Sequence, residues 1–179
     1  MFRFGIAYAA ALCIAAPAAA EVVEATPSGF LIRHDVGVSA TPEASWKALV
    51  DVGSWWNPDH TYSGNAANLS IEARPGGCFC EKLANGGGVA HMTMVFVSPN
   101  TVLRMTGGLG PLQGSGLAGS LTWRITPAPP AARIELTYSV GGFMQGGFDK
   151  MAPAVNAMLG EQLNRLKTFI DTGKPVVPK

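Results

Sequence analysis

Between residues 149 and 172 apolar side chains return every three or four positions, at Met151, Val155, Met158, Leu159, Leu163, Leu166, Phe169 and Ile170. That spacing predicts one amphipathic helix, with Asn156, Glu161, Asn164, Arg165 and Lys167 mostly off its buried stripe. Upstream the period falls to two. Leu69 and Ile71 alternate with Ser70 and Glu72, Leu121, Trp123 and Ile125 with Thr122, Arg124 and Thr126, and Ile134, Leu136, Tyr138 and Val140 with Arg133, Glu135, Thr137 and Ser139. Such strands have one wet face and one face turned toward the helix. Further strands are predicted at 30–38, 78–83, 89–97 and 102–106; the run 89–97 is apolar on both faces and is expected to be central. Thr41 as cap, Pro42 at the first helical position and Glu43 in the first turn start a short helix that buries Trp46, Leu49 and Val50 and stops near Gly53. A second short helical turn is expected before Pro58. The glycine-rich stretch 107–119 is long for a hairpin and reads as a rim or lid. The elements predict an α+β fold, a curved antiparallel sheet of about six to seven strands wrapped around a long C-terminal helix, with two short helices between the first two strands. A curved sheet gripping one helix can leave a cavity beneath it.

The N-terminus changes this picture. A basic start at Arg3, an apolar stretch from Ile6 to Ala16 and the small residues Ala18, Ala19 and Ala20 have the layout of a secretory signal cleaved after Ala20. The mature chain is then expected to be secreted, to the periplasm, with 21–29 as an N-terminal extension, 30–173 as a single domain and 174–179 as a short tail. Without Arg3 the thirteen basic residues become twelve, against twelve acidic ones. That balance, with no basic stripe, argues against a nucleic-acid partner and against electrostatic membrane binding. No second segment is apolar and long enough to span a bilayer. Cys78 and Cys80, one residue apart, would share a strand face at the upper limit of disulfide reach. The leading reading is a pair of free structural thiols; a disulfide, which needs a local bulge and is favoured by an oxidising compartment, and a metal role are the alternatives. His34, His60 and His91 have no metal-ligand spacing, so no metal is expected.

The order strand, short helices, strands, long C-terminal helix is the helix-grip arrangement. With the Trp46 helix, Trp55-Trp56, the Pro75-Gly76-Gly77-Cys78-Phe79-Cys80-Glu81 turn and strand, the strand from His91 to Pro99 and Leu159-Gly160-Glu161-Gln162-Leu163, the chain resembles the START/Bet v 1-like (SRPBCC) superfamily. Within it the resemblance is to the branch of Hsp90-ATPase-activator-homology and polyketide-cyclase-like proteins, over residues 30–172. The resemblance implies binding of hydrophobic ligands, cyclisation of polyketides or assistance to other proteins. An exported chain does not suit the cytosolic Hsp90-linked role.

If Phe79 faces the core, as the resemblance implies, alternation puts Glu81 on the same face. A carboxylate there reads as a pocket acid with a raised pKa, a general base or an anchor for a polar ligand group. The alternative is a solvated or arginine-paired residue. His91 reads either as a proton shuttle near neutral pH or as a strand-end residue bonded to backbone. Trp123 and Tyr138, on inward faces of neighbouring strands, suit an aromatic ligand and suit an ordinary core equally. Trp55 and Trp56 cannot point the same way; one is expected to pack inward while the other lines a mouth with Tyr62. Met92, Met94, Met105, Met144, Met151 and Met158 could mould to apolar ligands or fill an irregular core. The glycine runs lack the lysine and strand-loop-helix context of a phosphate loop, and no cofactor is expected. The sequence therefore predicts an exported protein holding a small hydrophobic or aromatic molecule between sheet and last helix, with Trp55, Trp56, Tyr62, Phe79, Glu81, Trp123, Tyr138, Met151 and Val155 around it. The alternatives are a cofactor-independent cyclase or dehydratase-like enzyme using Glu81 or His91 as acid/base, and a protein-interaction module, of unknown partner, built on the 107–119 loop and the outer sheet face.

Overall fold

The computed structural model describes residues 21–175. The expected signal, residues 1–20, and the end of the expected tail, residues 176–179, lie outside the described residues. The strands are β1 (Glu21–Thr26), β2 (Gly29–Val38), β3 (Leu69–Ile71), β4 (Cys78–Lys82), β5 (Gly88–Ser98), β6 (Val102–Thr106), β7 (Gly116–Ala128) and β8 (Ala131–Phe143), and β2, β4, β7 and β8 alternate in burial along most of their length. They form one antiparallel sheet in the order β1-β2-β8-β7-β6-β5-β4-β3. The segment 21–29, expected as an extension, thus contributes an edge strand and the turn into β2, and the sheet has eight strands rather than six or seven. The β7–β8 hairpin is the longest uninterrupted ladder, from Gly116 opposite Phe143 to Ala128 opposite Ala131. Its inward residues Leu121, Trp123, Ile125, Ile134, Leu136, Tyr138 and Val140 are all buried.

Helix α1 (Pro42–Val50) starts as its sequence predicts: the Thr41 side chain accepts from the Ala44 amide and Pro42 occupies the first turn. It ends at Val50, three residues before Gly53, because the chain turns at Asp51. In place of a second short helix there are three single 3-10 turns, Val52–Ser54, Pro58–His60 and Ala66–Asn68, which carry the chain to β3 at the far edge of the sheet. The long helix α2 (Ala152–Thr172) starts three residues after the expected start at Asp149, with Pro153 in its first turn. Val155, Leu159, Leu163 and Leu166 face the core. The helix packs on β2, β1 and α1. Its approach to β2 depends on Gly160, where an added Cβ would lie 2.9 Å from the His34 ring. No described helix is long and apolar enough to cross a membrane.

Three local expectations change. The strand β5 lies between β4 and β6, toward one side of the sheet, and its Val95 and Phe96 are half exposed. A register shift between Met94 and Phe96 interrupts the alternation there, and the Arg104 guanidinium sits over the Phe96 ring on the outer face. Cys78 and Cys80 are joined by a disulfide rather than left as free thiols. The register shift between Phe79 and Cys80 supplies the bulge that such a bond needs, bringing the two Cα atoms to 5.3 Å. Arg165, mostly off the apolar stripe by its spacing, is buried, as is Gln162.

Candidate functional site

The N-terminal half of α2, the segment 56–62, the strand residues Leu69, Phe79 and His91 and the glycine-rich loop border an open cavity of about 530 Å³. Trp56, Tyr62, Leu69, Phe79, Leu109, Leu112, Met144, Met151, Val155 and Met158 form its apolar wall, and His60, His91 and Ser115 are among its polar groups. The glycine-rich loop brings Leu109, Pro111 and Leu112 into the lining. Tyr138 secures the loop from beneath: its hydroxyl accepts from the Leu109 amide at 3.1 Å and donates to the Gly107 carbonyl at 3.2 Å. Gly119 makes room for that contact, since a Cβ there would lie 2.8 Å from the Tyr138 oxygen. On the loop's other side the Gln113 amide donates to the His91 carbonyl at 3.2 Å. Burial pushes the Tyr138 phenol up to about 12, against a smaller downward effect of the Leu109 amide, so it remains a neutral hydroxyl.

Behind the cavity wall, Glu81 and His91 form a buried pair. Strand alternation puts Phe79 and Glu81 on one face, and β5 brings His91 beside them. The Glu81 carboxylate accepts from the Tyr62 amide at 3.1 Å, from the Ser63 amide at 2.5 Å and lies 3.0 Å from His91 Nε2. Desolvation alone would raise its pKa, but hydrogen bonds from Ser63, Tyr62 and His91 together outweigh it and hold it below the usual carboxylate value. The expected raised pKa is therefore corrected, and Glu81 is neither solvated nor arginine-paired. The His91 ring lines the cavity, stacked on Tyr62 with centroids 6.0 Å apart and tilted against Phe79 at 5.1 Å. Its Nδ1 is buried and has no hydrogen-bond partner.

The predicted residues divide into two groups. Trp56, Tyr62, Phe79, His91, Met151 and Val155 line the cavity, and Glu81 stands one hydrogen bond behind it. Trp55, Trp123 and Tyr138 belong to the packed core: Trp55 donates to the Ala48 carbonyl and meets Trp123 edge-on at 6.0 Å. The methionines divide likewise, with Met92, Met94 and Met105 buried in the core and Met144, Met151 and Met158 at the cavity. Sequence reasoning missed a polar clamp between α2 and the segment carrying Trp56. Gln162 accepts from the Asn57 amide at 2.9 Å, Glu161 accepts from the Asn57 side chain and lies 3.1 Å from His60 Nε2, and Arg165 donates to the Trp55 carbonyl at 2.9 Å. The spacing of three between Gln162 and Arg165 puts them on one helix face but does not reveal their buried partners. Among the described residues no three His, Cys, Asp or Glu side chains converge as a metal site.

Comparison with known proteins places this geometry. The sequence model of the family described as polyketide cyclase / dehydrase and lipid transport matches residues 30–170. No curated protein matches the chain. Among solved structures, protein EF2215 of unknown function from Enterococcus faecalis is similar with a TM-score of 0.62 at 15% identity, over 89% of this chain and 80% of that one. CalU16 from Micromonospora echinospora gives 0.60 at 15% identity, over 90% and 88% of the two chains. The Aha1 dimer from Colwellia psychrerythraea gives 0.56 at 22% identity, over 80% and 98%. At these identities the structural likeness concerns the fold alone.

Proposed function

The chain belongs to the polyketide cyclase / dehydrase and lipid transport family, and from that premise we propose that it is an exported binding protein holding a small hydrophobic or aromatic molecule in the cavity beside α2. The observation that carries this reading is the cavity itself, about 530 Å³ with a mainly apolar wall and a few polar groups, the size and character of a small-molecule site. A solid core would have closed that space with Met151, Val155 and Met158; instead these side chains border it. Export is supported by the order of basic, apolar and small residues before Glu21 and accords with the Cys78–Cys80 disulfide. Native mass spectrometry of protein purified from its own host, with titration of an apolar fluorescent probe, tests the binding reading. A retained small molecule or saturable probe uptake is expected; neither retention nor uptake would overturn it.

The Glu81–His91 contact favours a second reading, a cofactor-independent acid/base catalyst of the cyclase or dehydratase kind. In it His91 moves the proton while the ionised Glu81 orients the ring and stabilises its charged form. Turnover of an enolisable aromatic polyketone that disappears in His91→Phe would support it. Binding of the same compound without turnover would leave the container.

A further inference from the structure

His91, which lines the cavity, carries one ring nitrogen whose hydrogen bonding is incomplete for an identifiable reason. The Glu81 carboxylate already accepts two backbone amides and lies 3.0 Å from His91 Nε2. An ionised carboxylate only accepts, so Nε2 carries the ring's proton in the neutral imidazole and Nδ1 is a bare lone pair. That atom is buried without a partner. A buried unsatisfied group is costly and is seldom left so without a function. Two rings pack on the imidazole: Phe79, which is buried, and Tyr62, which is 54% exposed. Tyr62 is the more exposed of the two neighbours. It borders the same cavity as the His91 ring.

We propose that His91 Nδ1 is the specificity group of this cavity, accepting a hydrogen bond from a phenolic or enolic hydroxyl of an aromatic ligand once Tyr62 swings off the ring. The inference rests on the container reading and deepens it, from any apolar molecule to one that presents a hydroxyl donor. Glu81 is the positioning residue: by fixing the tautomer it makes Nδ1 an acceptor, so a ligand offering only a carbonyl gains nothing there. If the hydroxyl is acidic enough, its proton passes to Nδ1, leaving a phenolate beside an imidazolium paired with Glu81. No other reactant is needed.

The test compares 2-naphthol with naphthalene on the whole protein. One hydrogen bond gained by a buried unsatisfied atom is of the size that changes affinity about tenfold. The ratio of 2-naphthol to naphthalene affinity is expected to fall by about tenfold from wild type to His91→Phe, the ratio cancelling any change the substitution makes to the apolar wall. Nitrogen-15 spectra of the wild-type imidazole give a readout that does not depend on the variant folding: the Nδ1 resonance is expected to shift with 2-naphthol and to stay in place with naphthalene. If both probes bind while Nδ1 responds to neither or to both alike, this inference is overturned and the container stands. If neither probe binds, the container reading goes and this inference goes with it.

Discussion

A carboxylate taken out of water is tolerated only where donors replace its hydration shell, and Glu81 has three: the Tyr62 amide, the Ser63 amide and His91. The sequence puts Glu81 on the buried face beside Phe79 but cannot show these donors, because two of them are backbone groups 19 and 18 residues upstream, positioned by the chain's turn before β3. The expected raised pKa follows from burial alone; the donors reverse its sign. With a folded pKa below the ordinary 4.5, ionisation favours the folded state. The contribution is complete above that unfolded value and is lost as pH falls through the lower folded one. Glu81→Gln keeps the shape and removes the charge, and hydrogen bonds to a charged group are worth about 1.5–3 kcal/mol each. Urea unfolding at pH 7 is expected to show the variant less stable by about that amount. The gap should narrow progressively as pH is lowered below 4.5; a gap independent of pH would mean that the charge contributes nothing.

The contact of α2 with β2 is built around a small residue facing a large one. Gly160 admits the His34 ring, and burial pushes the pKa of His34 below 6.5, against the smaller upward effect of Asn156, whose oxygens would accept from the protonated ring. Here the unfolded chain takes up the proton more readily than the folded one. The stabilising effect of the neutral ring is therefore present above 6.5 and is lost as pH falls from there toward the lower folded value. Stability measured between pH 7 and 5 is expected to decline in the wild type and to decline less steeply in His34→Leu, whatever the variant's absolute stability. An unchanged slope would remove His34 as its source. At this scale much was legible: the stripe of α2, the alternation of β7 and β8 and the cap of α1 are periodic or local signals, and local signals survive in the sequence. The clamp was not, because Gln162 and Arg165 are made tolerable inside by the Asn57 amide and the Trp55 carbonyl, 105 and 110 residues away. Nor was β1, a six-residue edge strand without strict alternation whose pairing shifts register between Val22 and Glu24.

The whole molecule separates core from container along its length. Trp55, Trp123 and Tyr138 close the core beneath the middle of the sheet, while Trp56, Phe79 and Val155 stand where the space stays open. Both groups are aromatic or apolar and both face inward, so alternation could not assign them; what divides them is whether the neighbouring elements fill the space around each side chain or leave it open, a property of the assembled fold. The division predicts that binding can be removed without harming the core. Ala154 is exposed on the cavity-facing part of α2, and Ala154→Trp projects an indole into the opening. A surface change of this kind alters stability by about 0.5 kcal/mol or less, so the melting temperature of the free protein should move by no more than about 2 °C. A ligand at one hundred times its dissociation constant stabilises its receptor by about 2.7 kcal/mol, roughly 5–10 °C for a domain of this size. With 2-naphthol at saturation the wild type is expected to gain a shift of that order and Ala154→Trp little or none. Equal shifts in the two proteins would place the binding site elsewhere, and a collapse of the free variant would show that this end of the molecule is core after all.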